Sequence, residues 1–151
     1  MTNITLAQSL LKKATDRLDI LDLLLNKGAY SDVIREAQEI VELATKAMLR
    51  VVGIEPPKFH DVGDLLLEHR GKYPDVISRE LEKIAGISKK LRKERELSFY
   101  GDIDFIPTEE YTVDDSREAM EGANFVVTIA TKLIDKHTRQ TRQTKQSKQT
   151  K

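Results

Sequence analysis

The chain has 151 residues and no cysteine, so it is long enough for one domain that buries its own core without disulfide bridges. Its 25 basic and 25 acidic residues give zero net charge at pH 7, which shows no overall basic excess for nucleic acid. The N-terminus is polar, and no apolar run approaches the roughly 20 residues that a membrane span needs. A cytoplasmic protein that contacts no membrane is therefore predicted.

The zero net charge conceals an asymmetry between the body of the chain and its C-terminal end. Residues 138–151 hold five basic residues and no acidic one, so residues 1–137 keep 20 basic against 25 acidic residues, a net charge of −5. Charged residues make up 33% of the chain, and only three Asn and two Gln precede residue 138, a bias that resembles heat-adapted proteins. We therefore divide the chain into an acidic body, 1–137, and a basic polar tail, 138–151.

The first helix is indicated by apolar residues at alternating spacings of four and three, which is typical of one helix face packed in a bundle. Residues 5–8 (Thr-Leu-Ala-Gln) match a capping box at its start. Gly28 is placed to end it through a left-handed cap. The apolar face consists of Ala7, Leu11, Ala14, Leu18, Leu21 and Leu25.

A second helix repeats this rhythm and is predicted to lie antiparallel to the first across a short loop. Gly53 and then Pro56-Pro57 close it. Residues from Asp61 to about Glu68 predict a short third helix, after which Gly71 and Pro74 break the chain. The apolar positions of the second helix are Ile34, Ala37, Val41, Ala44, Met48 and Val51.

A fourth, long helix is predicted to run from Pro74, which suits a first turn, to Tyr100, with Gly101 as its stop. Residues 101–112 are predicted to be a loop, and residues 112–115 (Thr-Val-Asp-Asp) offer a capping box for a fifth helix. No alternation long enough for a sheet appears. The fold predicted is an all-α antiparallel helical bundle of four long helices and one short helix. The inward positions of the last two helices are Ile77, Leu81, Ile84, Ile87, Leu91, Ala119, Ala123, Val126, Ala130 and Leu133.

The last two turns of the fourth helix hold the side chains best suited to chemistry. Their cations can offer charge-assisted hydrogen bonds to phosphate. The polar groups spread over nearly two turns, so their spacing alone names no reaction. In the alternative interpretation the cations only stabilise the helix end and pair with Glu94 or Glu96, and the tyrosine packs over that end. The predicted site residues are Arg92, Lys93, Arg95, Ser98 and Tyr100.

The short third helix carries three candidate metal ligands. His60, Asp64 and Glu68 lie four residues apart, so all three side chains would face one side. Without a cysteine or a second histidine on that face the signal is weak, and capping by Asp61 with a solvated polar face is favoured. No nucleophile and base arrangement and no glycine-rich phosphate loop appears. We therefore predict no metal and no cofactor.

The order of these elements resembles the HEPN family over about residues 3–135. The features shared are an Ala-rich second helix, a Pro-containing connection to His60-Asp61, and a long helix that ends in Tyr100-Gly101-Asp102. The resemblance implies a helical bundle that commonly dimerises. In many members an Arg, four to six intervening residues and a His serve metal-independent RNA cleavage. In members paired with minimal nucleotidyltransferases, a Tyr two positions beyond the His can receive AMP.

On this sequence Arg92 matches the arginine of the motif, Tyr100 matches the tyrosine, and Ser98 stands at the histidine position. An imidazole exchanges a proton near neutral pH, whereas a serine hydroxyl without an adjacent base does not. No residue is therefore assigned a catalytic role. The resemblance implies a non-catalytic or weakly catalytic homodimer that binds a nucleotide or RNA. It also implies a minimal nucleotidyltransferase as partner, in a toxin-antitoxin-like two-component system.

Two alternatives to this function stay open at the level of sequence. One is a metal-independent ribonuclease in which Ser98 replaces the histidine, and His60 or a residue across the dimer supplies the proton. The other is a purely structural helical adaptor, in which the arginine cluster has no binding role.

The tail repeats a basic residue at every third position, separated by Gln, Thr and Ser. On an α-helix this period drifts by about 60° per repeat, so the charges wind around the axis. Such a segment cannot bury a core, and free in solution it is expected to be flexible. It would act as an electrostatic arm for RNA or an acidic partner, or as a solubilising extension that continues the last helix.

Overall fold

The computed structural model describes residues 2–58 and 61–149. In this part of the chain the all-α prediction is confirmed: helices form a bundle, and no β-strand occurs beyond one isolated bridge. The four long helices are α1 (Asn3–Asn26), α2 (Tyr30–Val51), α5 (Leu81–Phe99) and α7 (Val113–Gln149). The short elements are α3 (Val62–Glu68), a 3-10 turn (Arg70–Lys72), α4 (Asp75–Ser78) and α6 (Pro107–Glu110).

Helix α1 begins one turn earlier than predicted. Thr2 is its N-cap, and the Thr2 hydroxyl oxygen accepts a hydrogen bond from the Thr5 amide at 3.1 Å. The capping box predicted at residues 5–8 is therefore wrong, because the Thr5 amide is already capped by the preceding turn. At the other end the prediction is confirmed, since Gly28 adopts a φ of +73° and its amide bonds the Leu25 carbonyl.

Helix α2 is the centre of the bundle. It packs against α1, α5 and α7, and α1 runs antiparallel to it, with Arg17 paired to Glu36 and Arg50 bonded to Asn3. Fully buried alanines on α2 leave room for neighbouring helices to approach closely. These alanines are Ala37, Ala44 and Ala47.

The single helix predicted from Pro74 to Tyr100 is wrong, because the chain is interrupted after α4. The Glu80 amide bonds the Ile77 carbonyl, three residues back, at 2.9 Å, so the backbone tightens before α5 starts. Ile77 and Leu81 are both buried on either side of this break. The apolar face therefore continues across it, which explains why periodicity did not reveal it.

The segment predicted as a loop over residues 101–112 contains the one-turn helix α6, with Pro107 in its first turn. Four residues are too few for a periodic apolar pattern, so this element escaped the sequence analysis. The capping box predicted at the start of α7 is confirmed. The Thr112 amide bonds the Asp115 carboxylate at 2.9 Å, and the Asp115 amide bonds the Thr112 hydroxyl at 3.2 Å.

Helix α7 runs without interruption to Gln149, so residues 138–149 continue the last helix. The tail thus continues the last helix, as one of the two alternatives for it described. The side chains of residues 139–148 are all exposed. Residues 150 and 151 lie outside the described residues, as does His60. Among the helices of the described residues, none has both the length and the apolar character of a membrane span.

The contact between α3 and α5 gives a test of the packing. A Cβ atom added at Gly63 would lie 2.9 Å from the Cα atom of Ala85, whereas one added at Gly86 meets nothing within 4 Å. Gly63→Ala is expected to lower the free energy of unfolding by about 1–3 kcal/mol through overpacking. Gly86→Ala, on the exposed side of α5, is expected to raise it by about 0.5–1 kcal/mol. Urea unfolding followed by circular dichroism measures both, and equal effects would contradict this contact.

Candidate functional site

The predicted site residues lie on three different sides of the last two turns of α5. Successive residues are rotated by about 100° around a helix axis, so neighbours in sequence do not share a face. Ser98 is 1% exposed and belongs to the buried side, the Arg95 side chain is 41% exposed, and Tyr100 is 76% exposed. Lys93 is exposed on the outer side with Tyr100, and Arg92 is half-buried on the flank that Arg95 and Phe99 share.

Ser98 is not presented at the surface with the arginines. It continues the inner face of α5 after Ser88 and Leu91, and its hydroxyl donates to the Arg95 carbonyl at 3.1 Å. A buried hydroxyl that donates its hydrogen bond to a carbonyl of its own helix has no adjacent base to activate it. The structure therefore separates the residue at the motif's histidine position from the exposed part of the motif.

Arg95 ties the end of α5 to α2. Its guanidinium lies 3.5 Å from the Glu39 carboxylate and 4.0 Å from the Glu42 carboxylate. Arg35 of α2 pairs with the same Glu39 at 3.4 Å and donates to the Arg95 carbonyl at 3.5 Å. We call this group, completed by Lys46, the charged seam. Arg95 therefore links the end of α5 to α2.

Glu42 is the most buried carboxylate of the charged seam. It accepts a hydrogen bond from Gln38 at 3.0 Å and pairs with Lys46 at 3.3 Å. Burial alone would raise the pKa of Glu42, but the Gln38 bond and the charges of Lys46 and Arg95 outweigh it. The pKa of Glu42 therefore lies below the ordinary value for glutamate.

An aromatic pair adjoins the charged seam. Phe99 and Tyr100 pack edge to face with ring centroids 4.9 Å apart, and the Arg35 guanidinium lies 5.2 Å from the centroid of the Phe99 ring. The Phe99 side chain is 53% exposed. Exposed aromatic faces beside cations can stack a base while the cations hold its phosphate.

Glu94 is one of the two acidic residues that the alternative interpretation pairs with the cations of α5. It lies on the opposite flank of α5, where it accepts a hydrogen bond from the Tyr111 hydroxyl at 2.6 Å. Burial, followed by this bond, raises the pKa of Tyr111. Glu94 therefore helps to fix the position of Tyr111.

Sequence reasoning missed the α2 contribution to the site. Arg35, Glu39, Glu42 and Lys46 follow one another at spacings of four, three and four, so the sequence does carry a charged stripe along one side of α2. What it does not contain is the identity of the helix that faces this stripe. Phe99 was likewise not selected, although it lies inside the motif segment.

The HEPN domain family model matches residues 7–134, which is most of the chain and includes all five predicted site residues. The chain belongs to the HEPN domain family. A search of curated proteins and a search of solved structures found no match. Of the three metal ligands considered on the third helix, Asp64 and Glu68 are exposed, and His60 lies outside the described residues.

Glu42→Gln tests the ionic character of the charged seam in this HEPN domain. The folded-state pKa of Glu42 lies below the usual 4.5. The contribution of the ionised Glu42 to stability is therefore complete above pH 4.5 and is lost as the pH falls through the folded-state pKa. The variant is expected to have a lower melting temperature at pH 7, and the difference should shrink below about pH 4.5.

Differential scanning calorimetry between pH 3 and pH 7 measures this, with Glu68→Gln on the exposed side of α3 as the matched control. A deficit that stays constant over the whole pH range would show that the Glu42 contacts do not depend on its charge.

Proposed function

We propose that this HEPN domain is a non-catalytic or weakly catalytic homodimer that binds a nucleotide or RNA at the end of α5. Its partner would be a minimal nucleotidyltransferase in a toxin-antitoxin-like two-component system. The observation that carries the proposal is the exposure of Tyr100, 76%, beside the Phe99 ring and the cations of α5. A displayed phenol next to cations suits a group that receives a nucleotide.

The position of Ser98 supports binding over cleavage. Metal-independent cleavage of RNA needs a group that takes the proton of the attacking hydroxyl. Ser98 is buried, and its hydroxyl donates to the Arg95 carbonyl, so it is not available for this role. The other proton donor considered, His60, lies outside the described residues. The ribonuclease alternative therefore finds no support in the geometry of the motif.

The chemistry at Tyr100 would be an adenylyl transfer carried out by the partner enzyme. The Tyr100 hydroxyl oxygen attacks the α-phosphorus of ATP and forms a phosphodiester bond to AMP. The bond between the α- and β-phosphates breaks, pyrophosphate leaves, and the phenol proton passes to a base of the nucleotidyltransferase. Arg92 and Lys93 would supply positive charge to the phosphates during this step.

The first prediction of this proposal concerns modification of Tyr100. When the protein is recovered from its native host, a nucleotidyltransferase should co-purify with it. Peptide mapping across Arg95–Asp102 should show one AMP on Tyr100. With the purified partner, magnesium and ATP, Tyr100→Phe should accept no AMP, because the phenyl ring has no nucleophile. Tyr30→Phe is the control, since it removes a phenol from another part of the chain. Recovery of the unmodified protein alone would contradict the two-component proposal.

The second prediction concerns affinity for nucleic acid. Arg92→Ala and Lys93→Ala are each expected to weaken binding of a single-stranded RNA oligonucleotide or of ATP, because each removes a cation from the last two turns of α5. Each should reduce the dependence of log affinity on log salt by about one unit, with thermal stability nearly unchanged. Fluorescence anisotropy of labelled RNA at several salt concentrations measures this. Lys132→Ala, on the exposed side of α7, is the charge-matched control. A lower melting temperature with unchanged affinity would assign Arg92 a structural role.

A further inference from the structure

Helices α5 and α7 border a cavity on the flank of α5 that carries Glu94. Each of the two helices packs against α2, but they make few contacts with each other, so a groove remains between them. The cavity in this groove has a volume of 290 Å³ and also borders the segment that joins the two helices. This volume is close to the lower limit for cavities that bind small molecules.

One face of α5 forms a wall of the cavity. Its four lining residues stand at positions i, i+3, i+4 and i+7, which lie on the same side of a helix. This face is apolar at two positions and charged at the other two. Its residues are Ile87, Lys90, Leu91 and Glu94.

A face of α7 with the same spacing forms the opposite wall, and its small residues leave the space open. A Cβ atom added at Gly122 would lie 3.0 Å from the Cγ2 atom of Ile87, so the two helices are close together at that level. About one turn away, the methyl group of Ala119 is too small to fill the gap. The cavity therefore follows from the small side chains of α7. The α7 residues that line it are Asp115, Glu118, Ala119 and Gly122.

The inner surface of the cavity is apolar, and its aromatic side chains are held in place. Ile34 of α2 is 4% exposed and lines the cavity together with Leu91. The rings of Phe105 and Tyr111 pack edge to face with centroids 5.5 Å apart, and the hydrogen bond to Glu94 orients Tyr111. Cavities of about 150 Å³ accommodate a benzene molecule, so this cavity has room for one aromatic ring and a short chain.

The charged groups of the cavity are mostly acidic. Lys90 is the one basic residue among the described residues that line it, and it pairs with Glu118. In the described part of the chain, no basic side chain forms an ion pair with Glu94, Glu110 or Asp115. An excess of negative charge therefore remains at the cavity, which we call the acidic cavity.

This negative charge acts on the cavity and is spread over its lining. Burial raises the pKa of the Tyr111 phenol, and the bond to Glu94 and the charges of Asp115 and Glu110 raise it further. Among the residues that the structure describes, no three acidic or histidine side chains are placed to hold a metal ion. Distributed carboxylates around an apolar space are complementary to an organic cation.

We propose that the acidic cavity binds a small organic cation that consists of an aromatic ring and a short chain with an ammonium group. The ring packs against Leu91 and Ala119. The ammonium group faces Glu110 and Asp115, which have no basic partner among the described residues. None of the five predicted site residues lines the acidic cavity, so this inference requires neither the dimer nor the partner enzyme of the proposed function.

Titration with three probes of similar shape tests the proposal. At pH 7, 2-phenylethylamine is a cation, 2-phenylethanol is neutral and 3-phenylpropionate is an anion. In two-dimensional amide NMR spectra the amine should shift the signals of Leu91, Ala119 and Gly122 saturably, and it should bind at least about tenfold more tightly than the alcohol or the acid. The proposal would be overturned by the absence of saturable shifts at these residues, or by an equal affinity for the alcohol or the acid.

A matched pair of double variants tests the role of the carboxylates. Glu110→Gln with Asp115→Asn removes two charges from the acidic cavity, and the new asparagine keeps an oxygen acceptor for the Thr112 amide. Glu109→Gln with Asp114→Asn removes two charges from the adjacent exposed positions, which do not line the cavity. The first variant should bind 2-phenylethylamine about three- to tenfold more weakly than the wild type, and the second less than about twofold more weakly. Equal losses in both variants would contradict direct contact with Glu110 and Asp115.

Ala119→Leu tests the apolar part of the site. The larger side chain fills the space that the ring would occupy, so binding of 2-phenylethylamine should weaken at least about tenfold. Because it fills a cavity, the melting temperature should stay unchanged or rise. A folded Ala119→Leu variant that binds the amine as the wild type does would overturn the proposal. If this variant does not fold, the probe series and the charge variants still decide the outcome.

Discussion

The enclosure of α2 by three other helices is the constraint from which the rest of the structure follows. Its contact faces carry small or well-packed apolar side chains, and the charged seam is a stripe of charged residues along one side of α2. That stripe is half-buried, and a half-buried carboxylate such as Glu42 is costly unless a cation and hydrogen bonds compensate it. Arg95 supplies part of this compensation from α5. The charges of α2 therefore help to hold the motif end of α5 in place, together with the buried inner face of that helix.

Anchoring α5 in this way divides the motif into parts with different roles. Ser98 is directed inward and bonded to its own helix, and Arg95 is held by two glutamates. Tyr100 and Lys93 remain on the outer side, where a ligand or a partner enzyme can reach them. A motif that looks continuous in sequence thus consists of a structural half and a displayed half, and the displayed half contains no histidine.

The sequence predicted those features that depend on residues close together along the chain. Apolar periodicity located the long helices, and the Thr112–Asp115 capping box is correct because both of its bonds are local. The interruption before α5 was missed, since Ile77 and Leu81 keep the apolar face in phase across it. Arg95 was placed on the right helix, but its partner Glu39 is 56 residues away, and which helices face each other is decided by the packing of the whole bundle.

The same distinction between local and global information applies to charge. Zero net charge describes a chain in which residues 1–137 carry a net charge of −5 and residues 138–151 hold five basic residues and no acidic one. This separation of charge stabilises α7. Acidic residues in its first turn and a basic residue in its last turn interact favourably with the partial charges of the helix dipole. The zero net charge therefore conceals a separation of charge that stabilises the helix joining the body of the chain to its tail.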